Sequence, residues 1–225
     1  VIARHVTIEG IEGAGKTHLS RLMAERLGDR CALLGEITDQ QDSSLTGNVI
    51  TALSRTRDLW LRTGHPVTET LALLALKTAA HEHAARADTG STRMFLEDRG
   101  IDSVAVYQAL ILAGPGAPDD RLHALMDQVY GTARRWLPLP GLTLLITDDP
   151  DACMTRLKQR TGQQVTAADR ALVTRAARLY EWQAACDPGR FRIISRNGRT
   201  ADETAADLIA VCTAGITWKE ELAGA

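Results

Sequence analysis

Three things are scarce in this chain of 225 residues: an excess of charge of one sign, long apolar runs, and closely spaced cysteines. Lys and Arg number 26 against 28 Asp and Glu, a formal charge of −2, so the basic footprint of a nucleic-acid-coating protein is missing. The longest apolar-rich stretches, residues 71–80 and 142–146, fall far short of the roughly 20 residues that a membrane-spanning helix needs. The four cysteines, Cys31, Cys153, Cys186 and Cys212, have no C-x-x-C spacing and no clustered His partner. That argues against a zinc ribbon or a disulfide scaffold and reads as free thiols, buried in the fold. The six histidines form no ligand pattern, since His81 and His83, two apart, do not share a helix face. The opening VIARHVTIEG lacks the apolar core of a leader peptide, so the expectation is a cytoplasmic protein with neither a membrane nor a nucleic-acid partner.

What is present is an alternation. Short apolar runs rich in β-branched residues, at 5–9, 31–34, 94–97, 142–147 and 191–195, are separated by segments with apolar residues three and four apart. Those helical segments are 16–27, 67–86, 103–112, 121–136, 151–160, 167–185 and 200–214. The pattern is that of an α/β protein with a five-stranded parallel sheet flanked by helices in three layers. Turn-forming clusters at 113–120 and 187–189 are too short to link domains and no repeat occurs, so residues 1–225 are expected to form one domain. Residues 161–168, TGQQVTAA, have only Val165 as an anchor and are expected to be exposed or mobile.

Residues 10–17 read GIEGAGKT, a full G-x-x-x-x-G-K-T between the first strand and the first helix, the context that this phosphate-binding loop requires. Gly10, Gly13 and Gly15 let backbone N–H groups converge on phosphate oxygens, Lys16 brings charge to the terminal phosphates, and the Thr17 hydroxyl suits magnesium. The third strand ends in EDRG, which puts Asp98 and Arg99 at the carboxyl edge of the sheet. There Asp98 is a candidate for a magnesium water and Arg99 for clamping an anionic acceptor.

These blocks resemble the thymidylate kinase family, P-loop nucleoside monophosphate kinases that convert dTMP and ATP to dTDP and ADP. IEGIEGAGKT is similar to that family's P-loop, with Glu12 where the family places an acidic residue near the acceptor sugar. DRGIDSVAVYQ, residues 98–108, is similar to its D-R-x-x-x-S-x-x-A-Y-Q, with Val106 in place of Ala. TLLITDDPDACMTRLKQR, residues 143–160, resembles its strand-Pro-helix segment, with Arg156 and Arg160 at an R-x-x-x-R spacing, and TWKEEL near the end resembles the terminal helix of some bacterial members. The resemblance implies a P-loop NTPase fold, ATP as phosphoryl donor, Mg2+, and a homodimer. It implies catalytic roles for Lys16, Arg99, Arg156 and Arg160, and ATP contacts from Gly10, Glu12, Gly13, Ala14, Gly15, Lys16, Thr17, His18 and Arg156. Magnesium falls to Thr17 and Asp98, and the acceptor to Glu12, Glu36, Leu76, Arg99, Ser103, Tyr107 and Gln108.

Departures concentrate at the acceptor. Where the family reads Arg-Glu-Pro after the second strand, this chain reads Gly35, Glu36, Ile37. Aligned on Glu82 and His83, Leu76 and Ala80 replace a Phe that stacks on thymine and an Arg that bonds the base, so no aromatic is expected there. Lys77, Thr78 and His81 are the replacement donors if the register slips. The lid, about residues 157–169, carries Gln163 and Gln164 where bacterial members have a catalytic Arg, leaving Arg156, Arg160 or Arg170 to reach the transferring phosphoryl. The tryptophans, Trp60 among them, read most simply as core or interface residues. Two further readings stay open: a kinase for a nucleoside or another small-molecule hydroxyl with Glu36 as base, and a nucleotide-binding module without catalysis.

Overall fold

Five short Val-, Ile- and Leu-rich segments pair in parallel in the order β2-β3-β1-β4-β5. They are β1 (Arg4–Glu9), β2 (Cys31–Leu34), β3 (Met94–Asp98), β4 (Leu142–Thr147) and β5 (Phe191–Ser195). The computed structural model describes residues 4–39, 44–56, 58–87 and 94–214. Eight α-helices occur among them: α1 (Lys16–Leu27), α2 (Leu45–Leu53), α3 (Pro66–Ala87), α4 (Ile101–Ala113), α5 (Asp119–Ala133), α6 (Pro150–Thr161), α7 (Ala167–Cys186) and α8 (Ala201–Thr213). The sheet has helices on both faces: α1 packs with α8, while α4 packs with α3, α5 and α7.

Side-chain alternation along β1 sorts the core. Val6 and Ile8 are wholly buried, and so are Thr7 and Glu9, which point toward α4. That second interface is polar. The Thr7 and Thr143 hydroxyls are bonded at 3.1 Å, Thr143 donates to Asp102 Oδ2 at 2.8 Å, and Arg190 pairs with the same carboxylate at 2.8 Å. Asp102 is fully buried, so this pairing offsets a charge that would otherwise be costly.

Local signals set several helix ends. Asp149 caps α6 with Pro150 at its first position, and capping boxes Thr166/Asp169 and Thr200/Glu203 start α7 and α8. The structure departs from the sequence expectation at α2, whose LTGNVITAL carries six weak helix formers in a row and starts from a Ser44 cap that accepts from Gly47 N at 3.1 Å. It departs again at α5, which ends at Ala133, leaving Trp136 exposed. The TWKEEL segment lies outside the described residues.

The chain runs from β1 outward to β2 on one side, and from β3 it crosses past β1 to β4 on the other. Such a reversal opens a crevice beyond the carboxyl ends of the strands, where open α/β sheets bind ligands. The segments after β1, β2, β3 and β4 all end there.

Candidate functional site

The loop between β1 and α1 is drawn tight by its glycines. Gly10 has φ +139° and Gly13 φ +80°, and a Cβ at Gly13 would lie only 2.0 Å from the Cys153 carbonyl oxygen. No side chain fits there, and the backbone N–H groups at the start of α1 are left to face an anion. Lys16 is 3% exposed, and its ammonium donates to Ile11 O at 2.7 Å. Burial, reinforced by the Arg99 guanidinium, lowers its pKa to about 8.

Two cavities open at this edge. One of about 660 Å³ runs along the loop and is lined by Gly13, Gly15, Lys16, Thr17, His18 and Arg156 among others. The other, about 310 Å³, reaches between α3 and α4. Thr17, Asp39, Arg99 and Arg160 line both, so the two spaces share a wall with two guanidinium groups in it.

Arg99 is the centre of that wall. It has φ +60°, a left-handed conformation that a side-chain-bearing residue adopts only when held, and its N–H donates to Ile8 O at 3.1 Å. Its guanidinium pairs with Glu12 at 2.8 Å and with Glu36 at 2.6 Å, and these carboxylates hold its pKa well above the usual guanidinium range. Glu12 also accepts from the Tyr107 hydroxyl. Beside Arg99, both carboxylate oxygens of Asp98 are buried without a hydrogen-bond partner among the described residues. A cation with its water shell suits such a carboxylate, whose charge acts on Lys16 of the loop.

Most residues expected at the acceptor do line the smaller cavity: Glu12, Glu36, Arg99, Ser103, Tyr107 and Gln108. Ser103 donates to Glu9 and exchanges a bond with Tyr180, while Gln108 accepts from Thr70 at 2.9 Å. Leu76 is a correction. It is 2% exposed in the core, and α3 turns Leu73 and Lys77, four apart on one face, toward the cavity instead. The register is thus three residues from the one that Glu82 and His83 suggest. α3 turns no aromatic into the cavity, and the aromatic surface comes from elsewhere: Trp60, in the connection between α2 and α3, lines the cavity and stacks on Tyr107 with centroids 5.6 Å apart and planes 10° apart. Its indole N–H donates to Asp169 at 3.1 Å, tying it to the start of α7.

On the larger cavity, Arg156 donates to Gly13 O at 2.8 Å and pairs with Asp148 at 2.5 Å. Gly10 and Ala14 line neither cavity, and their part is to shape the loop. Arg170 is turned outward onto Asp151, and Gln163 and Gln164 are exposed between α6 and α7. A cation missed in the sequence is Arg196, which donates to Ala14 O at 3.1 Å from the turn after β5.

Fold, loop and paired cavities define a P-loop nucleotide-binding protein of the three-layer α/β class. The family model for thymidylate kinase matches residues 8–204. The thymidylate kinase of Cupriavidus taiwanensis is 30% identical over 203 residues, covering 88% of this chain and 93% of that protein. A probable thymidylate kinase of Methanosarcina acetivorans is 28% identical over 203 residues, covering 88% and 89%. Among solved structures, the thymidylate kinase of Ehrlichia chaffeensis superimposes with a TM-score of 0.66 at 21% identity, over 93% of this chain and 98% of that one. That of Candida albicans gives 0.69 at 16% identity, over 95% and 92%. The chain belongs to the thymidylate kinase family.

Proposed function

We propose that this protein transfers the terminal phosphoryl group of ATP to dTMP, yielding ADP and dTDP. The observation that carries this reading is the shared wall: Arg99 and Arg160 face both cavities, so phosphates brought from either side meet between the same two guanidinium groups. Phosphoryl transfer asks a protein mainly for alignment and charge neutralisation. Lys16 meets the donor phosphates from the loop, Arg156 steadies the donor side from α6, and Arg99 holds the acceptor phosphate in line. Glu12 and Glu36 fix the Arg99 fork, and with both carboxylates so engaged Glu36 serves as an anchor. A phosphate acceptor requires no general base.

Thr17 and Asp98 fit a magnesium ion, which when bound supplies charge neutralisation for the donor phosphates. Trp60 and Tyr107 form the flat wall of the acceptor space, Lys77 and Gln108 its polar end, and Leu73 an apolar side. These are suitable surfaces for a base with carbonyl edges.

Among the described residues no helix is long and apolar enough to cross a membrane, and all four cysteines are free, Cys31 and Cys186 less buried than expected. Val67 and Leu71, four apart on α3 and more than half exposed, support a homodimer, which light scattering on the purified chain tests.

The deciding assay follows ADP formation from Mg-ATP with dTMP, other nucleoside monophosphates and thymidine. Turnover on dTMP and none on thymidine is expected. Turnover on thymidine alone overturns the phosphate acceptor, and silence on every acceptor despite ATP binding leaves a binding module.

A further inference from the structure

Glu97, on β3, is 2% exposed, and its carboxylate gathers three nitrogen groups. His5 Nε2 at 2.9 Å and His81 Nε2 at 3.3 Å both meet Oε2, while Lys77 Nζ meets Oε1 at 3.0 Å. None of the three residues His5, His81 and Glu97 lines either of the two cavities, and the sequence offers no spacing that joins them, since they lie on three separate elements. Parallel pairing brings them together. Thr7 lies opposite Glu97 and His5 opposite Phe95, so His5 and Glu97 project from the same sheet face on adjacent strands. His81 comes down onto that face from α3, one turn beyond Lys77. The two imidazoles meet edge to face, centroids 4.6 Å apart and planes at 72°. No spacing in the sequence pairs these histidines; strand pairing and the descent of α3 bring both to one carboxylate.

One donor atom from each residue lies within 4.8 Å of the other two. Around a tetrahedral ion with bonds of about 2.0–2.1 Å, donor atoms stand about 3.3–3.4 Å apart. The two Glu97 contacts are within a few tenths of an ångström of that spacing. His5 and His81 side chains are 13% and 19% exposed, so the group lies just beneath the surface, and a water would be the fourth ligand. Lys77 occupies the other carboxylate oxygen, the outer-shell position that fixes a ligating carboxylate.

We propose that His5, His81 and Glu97 form a site for one divalent transition-metal ion of the zinc class. Two imidazoles and one carboxylate suit Zn2+, Co2+ and Ni2+ better than Mg2+, which prefers oxygen ligands. His5 Nδ1 has no partner among the described residues, so the ring lacks an outer acceptor, and binding is weaker by the ~10–100-fold that such partners contribute. The site touches the acceptor cavity through one residue: Lys77 shares Glu97 with the ion and also lines that cavity.

The test titrates the metal-free full-length chain with Co2+ under excess Mg2+, which keeps the nucleotide site occupied by the harder ion. One Co2+ per chain is expected, with the visible absorption of a four-coordinate ion, displaced by Zn2+. His81→Ala is expected to lower Co2+ affinity at least tenfold, and His81→Gln to do the same while keeping a hydrogen-bond donor for Glu97. His83→Ala, on the exposed side of α3, and Cys31→Ser are expected to leave it unchanged. Co2+ affinity equal in wild type and both His81 variants overturns the site, and so does a folded wild type with no saturable binding below millimolar Co2+.

Discussion

The Trp60 indole lies parallel to the Tyr107 ring, centroids 5.6 Å apart, and so a residue from an irregular connection completes a wall begun on α4. Tyr107 in turn donates to Glu12, which pairs with Arg99. The flat surface of the acceptor space and the cation at its mouth are thus one connected structure. Trp60→Ala is expected to raise the KM for dTMP by one to two orders of magnitude while kcat falls less, because it removes the surface and leaves the cation. It is also expected to cost about 3–5 kcal/mol of stability, as removal of a buried aromatic does. Trp60→Phe is expected to recover most of the KM. Steady-state kinetics with a urea titration separates the two effects, and an unchanged KM in folded Trp60→Ala removes Trp60 from the site.

What could be read in the sequence here was what is local. The loop GIEGAGKT and the strand ends EDRG declare themselves because glycine spacing and strand–loop–helix order fix the backbone within a few residues. Leu73 was hidden, and Lys77 stood out only as a donor for a slipped register, because α3 reads LALLALKTAA, apolar on several adjacent faces, so its period does not choose a register. Trp60 sits where no periodicity exists. His5 and Glu97 became neighbours only through strand pairing, and α2 forms on packing and a Ser44 cap from a sequence with weak helix propensity.

Arg99 offers a planar fork to two buried carboxylates, and lysine cannot copy it. Arg99→Lys keeps a charge between Glu12 and Glu36 and is expected to fold. It is nonetheless expected to lose about 10²–10³ in kcat/KM for dTMP, the usual cost of losing an aligned donor at a transferring group. Arg99→Ala is expected to lose more activity, and stability as well, because Glu12 and Glu36 would then be buried without their partner. If Arg99→Lys leaves dTMP kinetics unchanged, the acceptor phosphate is held elsewhere.

Lys16 titrates where assays are run. Its pKa is lowered from the usual 10.5 to about 8, first by burial and then by Arg99. In the nucleotide-free protein the ammonium therefore loses its proton as pH passes 8, and kcat/KM for ATP is expected to fall above that pH. The sign for stability is opposite. Between pH 8 and 10.5 the unfolded chain holds a proton that the folded one has released, so this group adds stability as pH rises. Lys16→Met is expected to abolish transfer and to remove that rise relative to wild type, measured by urea unfolding at pH 8 and pH 10. Parallel pH profiles for the two proteins contradict the assignment.

Glu9 lies at the end of β1, wholly buried, accepting from the Gly100 N–H at 2.7 Å and from the Ser103 hydroxyl at 2.5 Å. Burial, with the Asp102 charge nearby, raises its pKa from 4.5 to about 8. The folded state then keeps a proton that the unfolded chain gives up, so this stabilisation is complete below pH 4.5 and is lost as pH climbs through 8. The loss is expected to approach, at most, about 1.4 kcal/mol per pH unit inside that window. Glu9→Gln carries no titrating proton and keeps an oxygen for Gly100, so its stability is expected to stay flat where wild type declines. Because Gly100 follows Arg99 in the chain, ionisation of Glu9 also acts on the backbone that holds the acceptor clamp. Urea midpoints at pH 5, 6, 7 and 8 for both proteins decide the matter: divergence toward high pH places the proton on Glu9, and parallel curves show that the carboxylate is already ionised throughout.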